Sequence, residues 1–592
     1  MDNLRLFTWG LFAFLAFLTW QTWMEDYAAP PRTPAGSVEA ESAGTTPGDP
    51  DVEGLEGPAA GTGDLPALDG DEPAATPAPA AGTAPPDDDE TAVDAAIIVR
   101  TDVLEVRIDP RGGALEYAEL LDYPVEKDRP DAHVVLLDSP TTDYGRIRSW
   151  LRGPAPDAAP GPDARYTAAR ERYELDDGAE LVVPLTWRGA GGVEVEKRYV
   201  FRRGQYTIGL EHRVTNGSTE SWRADAIAQI QRRSYEQERS MFDVDSYSFD
   251  GPQVYTGEKA EKLQRDDLLE DGPYTFTTAA GAQGWVAAIQ HHFLSAVVPA
   301  AEQRNLFQVE VVDNRMTASV IGTAQSVEPG ASAVFGHTLF VGPKLQDQLA
   351  LVHDRLKLSV DYGLLTPLAA PMFLLLSWVH DFVGNWGWAI IIVTVLIKLA
   401  FYKLTAASGR SMAKIRELQP RMKALQDRYK DDRQALSQAM MELYKREKVN
   451  PAAGCLPILI QMPFFLAFYW VLVESVEMRQ APFALWVTDL SSRDPYFILP
   501  LIMGAAMLLQ TRLNPAPADP VQARVMQIMP IVFTAFFAFF PAGLVLYWVT
   551  NTLLSIAQQW RINKLVHAET VARKSGQAKK GRKAKAEETP PD

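Results

Sequence analysis

Apolar positions along this chain follow three different patterns. Leu4 to Met24 is a mostly apolar run with only Arg5 and Gln21 strongly polar, long enough to cross a bilayer at roughly 20 residues per span. A cleaved signal peptide would have a shorter core and a small-residue cleavage site, which Tyr27-Ala28-Ala29 matches poorly. The expectation is an uncleaved anchor over residues 1–27. From about Ala96 to Val341, apolar and polar residues alternate in short runs such as Ile97 to Ile108, Glu180 to Trp187, Val193 to Phe201, Tyr206 to Val214 and Phe307 to Val312. Turn signals divide them, among them Asp109-Pro110-Arg111-Gly112-Gly113, Asn216-Gly217 and Pro329-Gly330. Many short strands at this spacing predict a large β-sandwich, assigned residues 96–345.

Past Met372 the apolar runs lengthen. Met372 to Tyr402 is too long for one helix and contains His380, Asp381 and Asn385. It reads as an interfacial helix over 356–382, punctuated by Pro367 and Pro371, then a span from Trp386 to Tyr402. Further spans are Leu456 to Val476, Tyr496 to Leu513, Val525 to Phe540 and Leu544 to Trp560, the last two turning at Pro541-Ala542-Gly543. With the anchor these make six spans. Prolines within them (Pro463, Pro500, Pro530) are tolerated where neighbouring helices satisfy the freed carbonyls.

Between the first two of these spans, Ile415, Leu418, Met422, Leu425 and Tyr429 step by three and four residues, a heptad seam. Pro420 falls inside it and should kink or break the helix. After Asp431-Asp432 a second helix offers Leu436, Met440 and Leu443. The result is an antiparallel hairpin over 403–450.

Charge orients these elements. Lys403 to Lys448 carries 12 Lys/Arg against 6 Asp/Glu, and Arg561 to Asp592 carries 9 against 4. By the positive-inside bias the hairpin, the basic tail (568–592) and both termini are cytoplasmic, and the β-sandwich is periplasmic. The overall charge of −18 is misleading, because Glu25 to Ala96 holds 17 acidic residues and one basic one, Arg32. That stretch, rich in Ala, Pro, Gly and Thr and assigned 28–95, is a disordered tether that cannot bury enough apolar surface to fold. Its Asp87-Asp88-Asp89-Glu90 run lacks the turn glycine and ligand spacing of a calcium loop.

Little in the chain suggests covalent chemistry. No phosphate loop, H-E-x-x-H or G-x-S-x-G segment occurs, and the single Cys455 excludes a disulfide scaffold or a multi-cysteine zinc site. His291 and His292 are expected on a strand, on opposite faces, unable to share a metal. No cofactor is expected. The informative residue is Lys398, inside an apolar span, where a lysine costs about 2.5–3.5 kcal/mol on insertion scales. It either lines a polar cavity or snorkels toward the nearby Lys403 end. Thr394 lies one turn earlier on the same face. Gln461, Tyr547, Thr550 and Asn551 on other spans either join that cavity or serve as ordinary helix–helix hydrogen bonds. The basic faces of the hairpin (Arg410, Lys414, Arg421, Lys430, Arg433) are either a solvated surface or a docking arm for nascent chains, ribosome or lipid headgroups.

The segments VGNWGWAIII (Val383 to Ile392), NPAAGCLPILIQMPFF (Asn450 to Phe465), RQAPFALW (Arg479 to Trp486) and FPAGLVLYW (Phe540 to Trp548) resemble the YidC-type membrane protein insertases. The anchor, tether and sandwich are similar to the Gram-negative form of that family. The resemblance implies a polytopic α-helical inner-membrane protein with a five-helix insertase core (383–567) and a large periplasmic β-sandwich domain. It implies a hydrophilic groove open to the cytoplasm and lipid, in which Lys398 stands where relatives usually carry Arg. Thr394, Gln461, Tyr547, Trp548 and Asn551 are expected to line it. It further implies non-covalent insertion and chaperoning of nascent integral membrane proteins, alone or with the Sec translocon, with the ribosome and membrane lipids as further partners. Two rival functions are a solute transporter, against which the chain shows no internal repeat, and a carbohydrate enzyme built on the sandwich, which fold alone does not establish.

Overall fold

The computed structural model describes residues 96–587 apart from 140–143, 156, 190, 236–247, 280, 301–303, 430–431, 448, 451–455 and 514–519. The expected anchor (1–27) and tether (28–95) lie outside the described residues. Two compact units meet in sequence at Val360 and Asp361.

The first unit is built from alternating strands. Its described residues form sheets of 11 and 9 strands. The larger runs Tyr274–Thr277, Asn305–Val312, Arg315–Gly322, Trp222–Arg233, Gly145–Arg152, Ala114–Glu126, Leu104–Asp109, Ile97–Arg100 and Arg172–Glu174, with Gln325–Val327 and Arg129–Asp138 paired beside it. The smaller runs Ala260–Lys262, Asp250–Tyr255, Trp285–Gln290, Phe293–Pro299, Ser332–Pro343, Thr207–Asn216, Val193–Arg202, Glu180–Arg188 and Thr167–Ala168. Two short helices, α1 (Arg265–Glu270) and α2 (Gln346–Val352), complete the unit.

Period-two alternation turns Val193, Val195, Lys197, Tyr199 and Phe201 inward from one strand. Val193 and Val195 meet Leu151, Trp222, Ala224 and Ala226 of the opposite sheet. Lys197 is fully buried, and its ammonium donates to the carbonyls of Gly112 (2.8 Å) and Ser149 (2.9 Å), tying the sheets together. His212 stands directly opposite Lys197, and His337 lies on the next strand. Burial, reinforced by the Lys197 charge, holds both imidazoles below the ordinary histidine value, His337 at about 4.

Two local expectations change. The run from Ile97 to Ile108 is two strands, because the Thr101 hydroxyl accepts from the amides of Val103 (3.2 Å) and Leu104 (2.9 Å) and turns the chain. His291 and His292 do not point to opposite faces of a strand. They form the turn between Trp285–Gln290 and Phe293–Pro299, where a positive φ of 46° at His291 brings the rings into a stack at 3.7 Å.

The second unit is helical: α3 (Thr366–Val383), α4 (Trp386–Ala400), α5 (Tyr402–Arg428), α6 (Arg433–Arg446), α7 (Leu456–Glu474), α8 (Ile498–Leu513), α9 (Pro520–Phe537) and α10 (Ala542–Glu587). The expected interfacial segment 356–382 begins instead as short 3₁₀ turns and becomes α-helical only at Thr366. Apolar residues occupy both its faces, with Phe373, Leu376 and Val379 buried and Leu374, Trp378 and Phe382 exposed. By length and composition, Gly363–Val383 is long and apolar enough to cross a bilayer. Helices α4 and α5 pass that test only as a pair bent by 70°. Left-handed Gly384 ends α3, and the Asn385 side chain caps α4 by accepting from the Trp388 amide.

Helices α5 and α6 form the hairpin. Its core is Ile415, Leu418, Met422, Leu443, Tyr444 and Val449, flanked by Met412, Leu425 and Met440. Pro420 does not break α5, since it sits on the exposed face. Ala413 of α5 also packs on Ile562 and Val566 of α10. The tail helix does not end at the expected span boundary near Trp560: α10 continues unbroken for 46 residues.

Candidate functional site: a lysine-bearing recess between four helices

Helices α4, α5, α7 and α10 line a small, partly open recess. Thr394, Ile397 and Lys398 line it from α4, Leu404 and Thr405 from α5, and Phe401 from the bend between them. Ile460, Gln461 and Phe464 line it from α7, and Tyr547 and Asn551 from α10. Lys398, Thr394, Gln461, Tyr547 and Asn551, from three helices far apart in sequence, therefore line one cavity. Trp548 does not. One residue beyond Tyr547 it is turned away, and its ring packs on Phe465 (4.8 Å) and Phe537 (5.3 Å) between α7 and α9.

Each polar group has a particular state. The Lys398 ammonium donates to the Ser555 hydroxyl across the α4–α10 crossing at 2.8 Å, and no carboxylate among the described residues pairs with it. The Thr394 hydroxyl donates to Ile390 O of its own helix at 2.7 Å. The Gln461 side chain reaches the Tyr547 hydroxyl. Asn551 is buried, and its Oδ1 has no hydrogen-bond partner. Such an orphan acceptor costs about 1–3 kcal/mol unless a ligand or water supplies a donor. The recess thus offers one cation and one unmet acceptor, with no nucleophile–base pair. It suits transient binding of polar or anionic groups.

Ser555 was not anticipated from sequence, although Tyr547, Asn551 and Ser555 recur every four residues and so share a helix face. One turn further along, α10 is bonded instead to α5: Gln558 Nε2 donates to Thr405 Oγ1 (2.8 Å) and Gln559 Nε2 to Gly409 O (3.3 Å).

One end of the bundle is closed by the connection between α7 and α8. Asn385 Nδ2 donates to the carbonyls of Pro482 (3.2 Å) and Phe483 (3.1 Å). The Phe483 ring lies against Gly387, where any Cβ would overlap it. The amides of Ala542 and Gly543 donate to Ser492 O (2.7 Å) and Leu490 O (2.9 Å). Asp489 and Asp494 hold this loop by accepting amides of Gln480, Ser491 and Leu499. The quoted motifs at 383–392, 479–486 and 540–548 are therefore one contact set.

The basic hairpin is less uniform. Arg410 and Lys414 are exposed, whereas Arg421 pairs with Glu447 at 2.8 Å. Arg433 opens α6, and Lys430 lies outside the described residues.

Comparison with known proteins agrees with this division. Residues 96–375 match the family model "YidC periplasmic domain", and residues 378–569 match "60Kd inner membrane protein". The membrane protein insertase YidC of Thioalkalivibrio sulfidiphilus is 46% identical over 574 residues, covering 95% of this chain and 98% of the relative. That of Nitrosococcus oceani is 43% identical over 573 residues, covering 96% and 100%. A solved structure, an active YidC insertase with its first transmembrane domain resolved, aligns at 19% identity and a TM-score of 0.36 over 79% of this chain and 94% of that one. Neither a solute carrier nor a carbohydrate enzyme accounts for the near full-length identity. The chain belongs to the YidC family of membrane protein insertases, with a periplasmic β domain ahead of an inner-membrane helical domain.

Proposed function

We propose that this protein inserts and folds nascent integral membrane proteins by letting their polar flanks rest in the recess beside Lys398. The observation that carries the reading is the placement of Lys398, a cation without a carboxylate partner among the described residues, on the wall of a mostly apolar recess between helices. A translocating flank must cross roughly 30 Å of hydrocarbon. A wet cationic recess shortens the low-dielectric part of that path, most for an acidic flank. The apolar segment then leaves along α7 and α10 into lipid, driven by burial at roughly 25 cal/mol per Å². No covalent step and no cofactor is needed.

The topology we infer has six spans: the anchor, α4, α7, α8, α9 and the first half of α10, with both termini cytoplasmic. Helix α3 lies at the interface. Were it a seventh span, hairpin and tail would face the periplasm, against their excess of 12 to 6 and 9 to 4 basic over acidic residues. The recess then opens to the cytoplasm, and the loop holding Asp489 and Asp494 closes the periplasmic end. The domains are the anchor (1–27), tether (28–95), sandwich (96–345), interfacial helix, insertase core (383–567) and basic tail (568–592). Exposed Arg410 and Lys414, with the tail, suit ribosomal RNA or anionic headgroups. The Sec translocon is a partner for larger substrates.

The test is insertion of a small radiolabelled membrane protein into proteoliposomes holding only this protein, scored by protease protection of its translocated flank. Protection well above empty liposomes, lost in Lys398→Leu for an acidic flank, is expected. Equal protection by Lys398→Leu would assign the lysine to snorkelling.

A further inference from the structure

We propose that Ser555 is a positioning residue for substrate recognition, holding the Lys398 ammonium at the recess wall while leaving its charge available to an incoming carboxylate. The proposal rests on the groove reading above. Lysine is a flexible point charge with about 2 kcal/mol of rotamer entropy, and unlike arginine it has no rigid fork to fix its direction. Here one bond does so, from Nζ to Ser555 Oγ at 2.8 Å. The Ser555 hydroxyl spends its only proton on Asn551 O, at 2.7 Å in its own helix. Only lone pairs are left for Lys398, so the hydroxyl acts as a fixed acceptor. A neutral acceptor anchors an ammonium without cancelling its charge, whereas a carboxylate would form a closed ion pair. The partner sits on α10 and the lysine on α4, so the bond also pins the crossing that shapes the recess. Beside it Asn551 Oδ1 is the unmet acceptor, so a carboxylate and a neighbouring N–H of one chain find complementary groups together.

The experiment uses the full protein in proteoliposomes and two substrates identical except for the translocated flank, one bearing Asp and Glu, the other Asn and Gln at those positions. Ser555→Ala should lower insertion of the acidic substrate roughly threefold to tenfold and leave the neutral one unchanged. Ser555→Thr, which keeps the hydroxyl, should restore it. Ser555→Asp should be worse than Ser555→Ala for the acidic substrate, since it locks Lys398 in an internal pair. In a Lys398→Leu background, Ser555→Ala should have no further effect. Wild-type insertion of both substrates by Ser555→Ala and Ser555→Asp would overturn the proposal. So would equal loss of both substrates by Ser555→Ala, persisting in the Lys398→Leu background, which marks a packing role. If Lys398→Leu itself inserts the acidic substrate normally, the groove reading fails first.

Discussion

At the scale of single residues, the most constrained positions are those where a side chain crosses between elements. Lys197 occupies an inward register position that the alternation Val193, Val195, Lys197, Tyr199 makes plain, yet a lysine there is easily passed over as surface. Replacing it with methionine keeps the volume but strands the Gly112 and Ser149 carbonyls, at about 1–3 kcal/mol each. The full chain bearing Lys197→Met should lose amide hydrogen-exchange protection along Val193–Arg202, and unchanged protection would show that the staple is dispensable. Gly387 is the counterpart in the helical unit. Overpacking of this kind costs typically 1–3 kcal/mol, so Gly387→Ala should lower the melting temperature in detergent by displacing Phe483. A melt equal to wild type would mean that the loop shifts freely. At Lys398 itself, Lys398→Arg should retain insertion of acidic-flank substrates, because charge rather than fork geometry is what the recess supplies. Its placement was open in the sequence, since snorkelling and cavity lining demand the same spacing. The long-range α4–α10 contact to Ser555 favours cavity lining, and the Lys398→Leu insertion test decides between them.

Elements repeat this contrast between local and non-local information. The hairpin was legible because its seam is a local three-and-four pattern, and Ile415, Leu418, Met422, Met440 and Leu443 meet as that pattern requires. Leu436 and Tyr429 fall outside the cluster, towards the hairpin tip. Of the kink or break expected at Pro420, no break occurs: a proline removes one hydrogen bond, and α5 absorbs that loss on its exposed face. Pro420→Ala should therefore restore that bond, raising exchange protection over 416–424 by up to about 3 kcal/mol in opening free energy. No change would indicate that the helix is limited by docking on α6 and α10. Trp548 does not line the recess. Adjacent residues on a helix differ by about 100° in direction, and here the Trp548 ring turns to Phe465 and Phe537 while Tyr547 lines the recess. The strand run at 97–108 was legible as β but not as two strands, because the divider is a side-chain hydrogen bond from Thr101.

For the whole molecule, the β domain carries a built-in acid sensitivity. His212 and His337 are buried and held neutral, while in the unfolded chain they titrate near 6.5. As pH falls, the unfolded chain takes up protons first. The contribution is fully present above about 6.5 and is lost progressively from there down to about 4, where His337 protonates in the fold. The slope is at most about 1.4 kcal/mol per pH unit for each histidine. The β-sheet melting transition of the full chain should fall between pH 7.5 and pH 5, and His337→Gln should flatten that fall. A transition independent of pH would show that other groups compensate.

Helix α10 runs without interruption from Ala542 to Glu587, about 69 Å at 1.5 Å per residue. One end of this rod bears Asn551 and Ser555. Its middle rests on Ala413 through Ile562 and Val566, as a beam rests on a fulcrum. The sequence towards its far end is basic, with Arg573, Lys574, Lys579, Lys580, Arg582 and Lys583. If the helix acts as a lever, a load taken at that end should reach the seat of the Lys398 ammonium. Three glycines inserted after His567 should cut that lever. A spin label at Leu553 would then no longer sense polyanion bound at the tail, whereas in the uninterrupted helix it should.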